Sequence, residues 1–403
     1  MNISAFAIRM APSFLFAFCL LPLAAHAVSV VDLGTAAGLP AGKPSNGASA
    51  VLDYDADGQP DIVLSAHGQE WPLLRQEPVG RFTAVLPGTF AARQDRHGCT
   101  SADFNQDGRP DLYCVRGACK GICKKSYANE LYLEREDQTF AKIVGAWGAD
   151  DPHGRGRDTV ALDFDRDGDM DLLVANEKST AFPKVGNHLW RNEGGEFVAV
   201  EGTPLAQTMG TFRAAVVPTP SGYPDVVMTT PTKVIYYKNR KGTYRAGRAL
   251  SGKSSGGMRA WGVAAADLDG DDLTDLVIVR EKQLEVRLND GAFGFGKVSY
   301  KLALTQGRDA ALCELDGKPG LGIYVVQGAR PTHQDIVLLN KGSGRSYRRL
   351  KTPRIAKGHG DVATCIPGDF PGYLGEAVLV TNNKWLSGGD RRLGPARLML
   401  VKR

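Results

Sequence analysis

The chain has 403 residues, of which 43% are hydrophobic, 48 are glycine and 22 are proline. This composition is ordinary for a globular protein with many turns. The net charge is only +5, from 49 basic against 44 acidic side chains. The chain therefore lacks the concentrated basic surface that nucleic-acid binding needs, and we expect no nucleic-acid ligand.

Residues 1–27 have the pattern of a cleaved secretory signal. Arg9 supplies a positive charge, residues 14–23 (FLFAFCLLPL) form a short apolar run, and Ala25-His26-Ala27 is a small-x-small cleavage site. The run is shorter than the roughly 20 residues that a membrane span needs. We therefore expect an exported protein, periplasmic or secreted, that begins near Val28 and does not span a membrane.

Four nine-residue acidic stretches then recur along the chain, each followed at once by an apolar run. Each places a carboxylate or amide oxygen at positions 1, 3, 5 and 9, which is the ligand type that calcium prefers. The candidate metal ligands are Asp53, Asp55, Asp57 and Asp61; Asp103, Asn105, Asp107 and Asp111; Asp163, Asp165, Asp167 and Asp171; Asp267, Asp269, Asp271 and Asp275.

Three further copies have lost most of these ligands. They begin at Val217, Glu314 and Asp369, so seven copies follow one another at steps of 50, 60, 54, 50, 47 and 55 residues. The fifth repeat shows the plan most clearly, with strands predicted over residues 262–268, 276–280, 284–289 and 297–304. Four short strands in about 50 residues is the size of a propeller blade.

The sequence thus predicts an all-β fold, a seven-bladed propeller that forms one domain over residues 28–403. Residues 396–403 provide the third strand of the last repeat, and residues 28–33 (VSVVDL) precede the first repeat. This N-terminal strand can complete the last blade, which closes the ring without a bare sheet edge. We expect a monomer.

Six of the seven cysteines lie beyond the predicted signal, an even number in an oxidising compartment. Cys99 and Cys114 flank the second acidic loop and would face each other across a hairpin. Cys119 and Cys123 would form a local loop, and Cys313 and Cys365 would then pair at long range. A CxxxC pair can also bind copper, although no histidine lies nearby in the sequence.

Calcium is the expected ion because every proposed ligand is an oxygen, whereas zinc favours His and Cys. An EF-hand is excluded, because position 12 falls on strand residues rather than on a glutamate. The alternative is that the aspartates only form turns. We expect about four structural calcium sites, since several crowded carboxylates repel one another unless a cation neutralises them.

The loop form DYDADGQPD at residues 53–61 and its period resemble the FG-GAP and VCBS repeat family of integrin α-like propellers. Residues 97–115 (HGCTSADFNQDGRPDLYCV) are also similar to blades of cartilage acidic protein-like chains. The resemblance implies a seven-bladed propeller with calcium in hairpin loops between the first two strands of some blades.

Function is expected where the inner strands begin, at the end opposite the acidic loops. Polar residues recur there and predict a funnel for an anionic ligand, unless nearby acids such as Asp158, Asp309 and Asp361 neutralise them. The predicted funnel comprises His97, Arg157, Arg213, Arg259, Arg308 and His359, with Asn46 in the first repeat. Three His-Gly pairs, at residues 97, 153 and 359, offer a transition-metal alternative.

The sequence contains no GxSxG elbow, HExxH motif or phosphate loop, and no other catalytic arrangement with specificity. The first hypothesis is therefore a calcium-binding module that engages a protein, a glycan or an envelope component. The second is a polysaccharide lyase or hydrolase with its site in the funnel. A His–carboxylate pair in a deep funnel would favour the enzyme, and exposed aromatics such as Trp71, Trp147, Trp261 and Trp385 would favour binding.

Overall fold

The computed structural model describes residues 28–40, 47–65, 70–78, 80–86, 88–90, 95–117, 128–179, 182–207, 210–250, 258–291, 294–328, 334–350, 360–382 and 396–402. The predicted signal segment, His359, Asn46 and Trp385 lie outside these residues. No helix in the described part is long and apolar enough to cross a membrane.

Seven four-stranded antiparallel sheets form the ring. Blade 1 comprises β2 (Ala50–Leu52), β3 (Asp61–Val63), β4 (Leu73–Glu77) and β5 (Arg81–Val85); blade 2 comprises β6 (Arg96–Ala102), β7 (Asp111–Arg116), β8 (Glu130–Glu134) and β9 (Phe140–Ile143); blade 3 comprises β10 (Gly156–Leu162), β11 (Asp171–Asn176), β12 (His188–Asn192) and β13 (Phe197–Ala199).

The remaining blades follow the same order. Blade 4 comprises β14 (Arg213–Val217), β15 (Asp225–Thr229), β16 (Val234–Tyr237) and β17 (Arg248–Ala249); blade 5 comprises β18 (Ala260–Ala266), β19 (Asp275–Arg280), β20 (Gln283–Arg287) and β21 (Tyr300–Ala303). Blade 6 comprises β22 (Gly307–Cys313), β23 (Gly322–Gln327), β24 (Ile336–Asn340) and β25 (Tyr347–Arg349); blade 7 comprises β26 (Gly360–Ile366), β27 (Ala377–Asn382), β28 (Arg397–Lys402) and the N-terminal β1 (Ser29–Asp32).

The middle of the second strand of a blade is apolar because both of its faces are covered. Every residue of β19 is buried, as is every residue of β11 and β27. One core cluster joins β19 to the next blade, with Val277 and Val279 packed with Ile323 and Val325. Burial on both faces explains the continuous apolar runs that follow the acidic loops.

The chain termini close the ring as predicted. The N-terminal β1 pairs antiparallel with β28, with Ser29 opposite Lys402 and Asp32 opposite Met399. Blades 7 and 1 share a hydrophobic cluster, and Thr381 Oγ1 donates a hydrogen bond to the carbonyl of Gly47 at 2.9 Å. The last blade is therefore completed by a strand from the opposite end of the chain.

The predicted strand bounds of the fifth repeat are shifted by up to three residues. The inner strand ends at Ala266 rather than at Leu268, because the Leu268 backbone N–H donates to the Asp275 carboxylate at 2.9 Å. The fourth strand is confined to Tyr300–Ala303. Hydrogen bonds of the acidic loop therefore set the end of the inner strand.

Two predicted disulfides are confirmed. Cys99 and Cys114 are direct partners across β6 and β7, and their Cα atoms are 4.1 Å apart. Cys313 and Cys365 join blades 6 and 7, with a Cα separation of 5.7 Å. Cys119 and Cys123 lie outside the described residues, so the predicted local bridge stays a prediction.

Candidate metal-binding loops and the central channel

The acidic loops connect the first two strands of blades 1, 2, 3 and 5, and we call them loops 1, 2, 3 and 5. They lie on one side of the ring, the acidic-loop face; the inner strands begin on the other side, the entry face. In loop 1 the backbone is left-handed at position 4 (Ala56, φ 56°) and position 6 (Gly58, φ 82°). Loop 5 keeps this shape with Gly270 at position 4 and Asp272 (φ 63°) at position 6. Aspartate tolerates this conformation better than most residues.

Backbone N–H groups hold the carboxylate at position 1. Asp53 accepts hydrogen bonds from the N–H groups of Asp57 at 3.0 Å and Gly58 at 2.9 Å. Asp103 accepts the equivalent bonds from Asp107 and Gly108, at 3.0 and 2.8 Å. The loop backbone therefore wraps around this carboxylate in both copies.

In three of the position-3 carboxylates, one oxygen lacks such a partner. One oxygen, Oδ1, of Asp55, Asp165 and Asp269 is buried without a hydrogen-bond partner in the described structure. Burial, followed by repulsion from the position-5 carboxylate, raises the pKa of each of these three aspartates. A buried oxygen without a partner is costly. A cation in the loop would supply the missing interaction.

Loop 2 shows how an amide changes this arrangement. Asn105 occupies position 3, and its side-chain amide donates to Asp107 Oδ2 at 2.8 Å. Its side-chain oxygen accepts from the Asp107 backbone N–H at 3.2 Å. The asparagine therefore satisfies internally the contacts that an aspartate leaves open.

The grouping of oxygens fits a hard divalent cation. Carboxylate oxygens of three aspartates lie within 4.8 Å of one another in each of loops 1, 3 and 5. The groups are Asp53, Asp55 and Asp57; Asp163, Asp165 and Asp171; and Asp267, Asp269 and Asp271. All these donors are oxygens, which is the set that calcium prefers.

The position-9 aspartate also has a structural role that the sequence did not reveal. Asp61, which is fully buried, accepts from the Tyr54 N–H at 3.1 Å and from the Gln76 N–H on β4 at 2.8 Å. Equivalent pairs of bonds recur in the other three loops, at Asp111, Asp171 and Asp275. Burial raises the pKa of these position-9 groups, to about 7 in Asp61, about 6 in Asp111, about 8 in Asp171 and about 6 in Asp275.

The copies that have lost their ligands are held by other means. In blade 4, Asp225 still accepts from the Asn239 N–H at 2.6 Å, and Thr219 Oγ1 donates to the Tyr223 carbonyl at 2.8 Å. In blades 6 and 7, the Glu376 carboxylate accepts from the Glu314 N–H at 2.8 Å. These hydrogen bonds, together with the Cys313–Cys365 disulfide, stand where blades 1, 2, 3 and 5 carry acidic loops.

Asparagines at the ends of third strands connect neighbouring blades on the acidic-loop face. Asn192 Nδ2 donates to the Phe104 carbonyl at 2.8 Å, and Asn239 Nδ2 donates to the Phe164 carbonyl at 2.8 Å. Asn340 Nδ2 reaches Leu268 in the same way, at 2.6 Å. An asparagine at or just after the end of the third strand, as in blades 3, 4 and 6, is the sequence signal for this contact.

On the entry face, β-bulges place one residue outside the ladder in five of the inner strands. A bulge leaves one residue without an opposite partner and bends the strand. The bulged residues are His97, Arg157, Trp261, Arg308 and Asp361. The structure therefore brings three predicted funnel residues to equivalent positions, and it adds Trp261 and Asp361. Arg213 begins β14 and Arg259 immediately precedes β18.

Acidic partners neutralise several of the basic funnel residues. Glu177 pairs with Arg155 at 2.6 Å and with Arg157 at 2.7 Å, and His97 Nε2 lies 3.0 Å from Asp95. This arrangement favours the interpretation in which acids compensate the basic side chains.

Arg213 links non-adjacent blades across the centre of the ring. Its Nε lies 3.9 Å from the Asp309 carboxylate, and the charges of Asp158, Asp309 and Asp361 raise its pKa against the effect of burial. Burial raises the pKa of Asp309 to about 7, although Arg213 opposes this shift. The central channel is therefore partly filled by a cationic side chain with acidic neighbours.

The channel mouth carries an Arg–Trp cluster, defined by Arg259, Trp261 and Arg308. The guanidinium groups of Arg308 and Arg259 lie 4.3 and 5.6 Å from the Trp261 ring centroid. Phe212 packs on the same indole at 4.7 Å. Arg259 is exposed and Trp261 is half-buried, whereas Trp71, proposed from sequence as an exposed aromatic, is only 1% exposed.

The predicted histidine trio is not assembled by the described residues. His97 pairs with Asp95 in the channel wall, whereas the His153 ring stacks on Phe182, with centroids 4.4 Å apart. His153 lines a cavity in blade 3, away from the bulge position that His97 occupies. The third member, His359, lies outside the described residues.

Comparisons with known proteins agree with the repeat pattern. The FG-GAP-like repeat family matches residues 53–114 and 221–278. Cartilage acidic protein 1 of Mus musculus is 28% identical over 159 residues, which cover 38% of this chain and 24% of that protein. The human protein of the same name is also 28% identical, with 23% of its length covered. The chain thus matches about a quarter of the length of these curated relatives.

Solved structures show the same fold. A chain in the crystal structure of BBS1N in complex with ARL6DN, soaked with mercury, aligns with a TM-score of 0.58 at 10% identity. The alignment covers 90% of this chain and 94% of that one. The lead-soaked crystal gives a TM-score of 0.55 at 11% identity. The predicted resemblance to FG-GAP repeats and cartilage acidic proteins is therefore confirmed, and the seven-bladed propeller is shown.

Proposed function

We propose that this FG-GAP-repeat propeller is an exported interaction module, stiffened by calcium, that engages a protein partner at the channel mouth on its entry face. The buried position-3 oxygens carry the calcium part of the proposal. Asp53, Asp55 and Asp57 would hold one ion, and their counterparts in the other acidic loops would hold the rest. Calcium would neutralise crowded carboxylates and tie each hairpin to its blade.

The Arg–Trp cluster supports the partner site. Tryptophan and arginine dominate the residues that contribute most to protein–protein binding. Trp261 stands on a bulge at the channel mouth with two guanidinium groups within 5.6 Å of its ring centroid, and Arg259 is exposed to solvent. The cluster therefore presents positive charge beside a half-buried indole, which suits an acidic segment of a protein partner.

The disulfides support export, because such bonds persist in oxidising compartments. Both confirmed pairs are buried or half-buried in the ring. Residues 1–27 would direct the chain out of the cytoplasm and be removed. Mass determination of the protein recovered from the periplasm or medium would then give an N-terminus near Val28, whereas an intact N-terminus would contradict the cleaved signal.

The partner site is tested by capture of exported proteins on the immobilised mature chain, in calcium and in EDTA, followed by mass spectrometry. We expect the Trp261→Ala and Arg259→Glu variants to lose specific partners that Trp147→Ala, a change on the outer rim of blade 2, retains. Glycan arrays run in parallel test the alternative ligand class. Retention of every partner by the two channel-mouth variants would overturn the site, and release of oligosaccharide products would favour the enzyme.

A further inference from the structure

A cavity of about 330 Å³ opens in blade 3 on the entry face, away from the acidic loops. The segment before β10, the segment before β12 and the residues after β13 enclose it. Its polar lining includes Asp151, His153, Lys184, His188 and Glu201. This cavity is separate from the Arg–Trp cluster, and the proposed function does not use it.

The backbone and two neighbours hold Asp151 in one orientation. Its φ of 37° is unusual for a residue other than glycine. Asn176 Nδ2 donates to its Oδ2 at 2.8 Å. Gly154 leaves room for the carboxylate, since a Cβ there would lie 2.0 Å from Oδ2. Strained residues persist where the surroundings over-determine them, and such residues cluster at ligand sites.

His188 faces this carboxylate without forming a hydrogen bond. Its ring stacks on Trp190, with centroids 5.1 Å apart. Its Nε2 lies 3.4 Å from Asp151 Oδ1, is buried, and has no hydrogen-bond partner within the described structure. A buried nitrogen donor atom and a held carboxylate oxygen therefore point at one space.

The spacing of these two atoms distinguishes the ligands that fit. Bonds of about 2.0–2.1 Å to a zinc-like ion would give an angle of roughly 110° between donors 3.4 Å apart, which is close to tetrahedral. A hydroxyl oxygen placed about 2.8 Å from both atoms would have to make its two hydrogen bonds at an angle of only roughly 75° to each other, which is narrow for such a group. Calcium is disfavoured because it prefers oxygen donors alone.

We propose that Asp151 and His188 bind a divalent transition metal of the zinc class in this cavity. No third His, Cys, Asp or Glu donor lies within 4.8 Å of both atoms in the described structure. His153 lines the same cavity and would supply the third protein ligand by turning away from Phe182 when the metal binds. Three protein ligands and a water form the usual open zinc site. The cavity would thus carry a metal of a different class from the ions of the acidic loops.

The test uses the mature chain, stripped with EDTA, returned to excess calcium and titrated with cobalt(II). We expect one equivalent of cobalt to give the intense visible bands of tetrahedral coordination, and zinc to displace it. His188→Gln and Asp151→Asn should each weaken binding by at least the roughly 10- to 100-fold seen when outer-shell partners are lost. His97→Gln, which changes a histidine paired with Asp95 in the channel, is the matched control.

Circular dichroism of each variant separates loss of binding from loss of folding. His188 has a 31% exposed side chain, so its substitution should leave the blade folded even if Asp151→Asn does not. No stoichiometric cobalt band, or an unchanged band in His188→Gln, would reduce the contact to an ion pair and overturn the site. An unchanged affinity in His153→Gln would overturn the third ligand.

Discussion

Replacement of Asp55 by asparagine should change the stability of the propeller in opposite directions with and without calcium. Without the ion, the substitution removes a carboxylate that is crowded against Asp57 and permits the internal hydrogen bonds that Asn105 makes in loop 2. One like-charge contact near 4 Å is worth about 1 kcal/mol in water. With calcium, the same substitution removes a ligand.

The magnitudes follow from domain size and expected affinity. An unfolding entropy of about 2.1 cal/mol/K per residue gives about 0.8 kcal/mol/K for residues 28–403, so 1 kcal/mol shifts Tm by about 1.3 °C. At about 10 mM calcium and a Kd of roughly 10⁻⁴ to 10⁻³ M, one site contributes about 1.4–2.7 kcal/mol. The loss of this contribution is offset by the roughly 1 kcal/mol of repulsion that the substitution relieves. We therefore expect Asp55→Asn to raise Tm by about 1 °C in EDTA and to lower it by about 0.5–2 °C in calcium.

Differential scanning calorimetry of wild type, Asp55→Asn and Glu196→Gln in both buffers measures this reversal. Glu196 is an exposed carboxylate in the outer turn of blade 3, so its removal should leave the calcium response intact. An equal decrease of Tm in both buffers would show that Asp55 is only a turn residue. Identical melting of wild type in EDTA and calcium would refute structural calcium altogether.

Three further predictions concern contacts that do not involve the ion. Asn192→Ala should lower the free energy of unfolding by about 1–3 kcal/mol in urea titrations, since it leaves the buried Phe104 carbonyl without its donor; Asn192→Asp should not restore it. Asp225→Ala should destabilise the chain equally in EDTA and calcium, because blade 4 lacks the other ligands; a calcium-dependent loss would contradict this. Burial opposes ionisation of Glu130, but Arg96, 2.5 Å away, and Lys142 together prevail and lower the pKa of Glu130. This stabilisation is therefore present above the usual glutamate pKa of about 4.3 and is lost as pH falls through the lower folded value. Glu130→Gln should cost about 3–5 kcal/mol at neutral pH and flatten the acid limb of the stability profile; an unchanged limb would assign the acid sensitivity elsewhere.

The repeat pattern was sufficient to predict the architecture. Oxygen-rich loops at steps of about 50 residues located the hairpins, and the spacing gap before Asp267 revealed the blade that has lost its ligands. The pairing of Cys99 with Cys114 followed from the hairpin, because a turn of known length fixes which residues lie opposite. These inferences succeed because strand alternation and turn chemistry are local properties.

The functional geometry depended on contacts between distant segments. The carboxylate of Asp61 was predicted to be a ligand, and the structure shows that it also accepts backbone hydrogen bonds from two segments. The bulge that places Trp261 at the channel mouth leaves no local signature beyond the following Gly262. Asp151 and His188 approach only because the segment before β10 and the start of β12 converge.

The sequence by itself therefore determined the blade count, the disulfide pairing of Cys99 with Cys114 and the strand that closes the ring, since each depends on period or on turns of fixed length. Tertiary structure alone decided which charges neutralise one another in the channel, because Arg213 and Asp309 belong to non-adjacent blades. It also decided which position-3 oxygens remain without partners, since burial is a property of the packed hairpin. The side chains available for binding are those that this packing leaves without a hydrogen-bond partner or a neutralising charge.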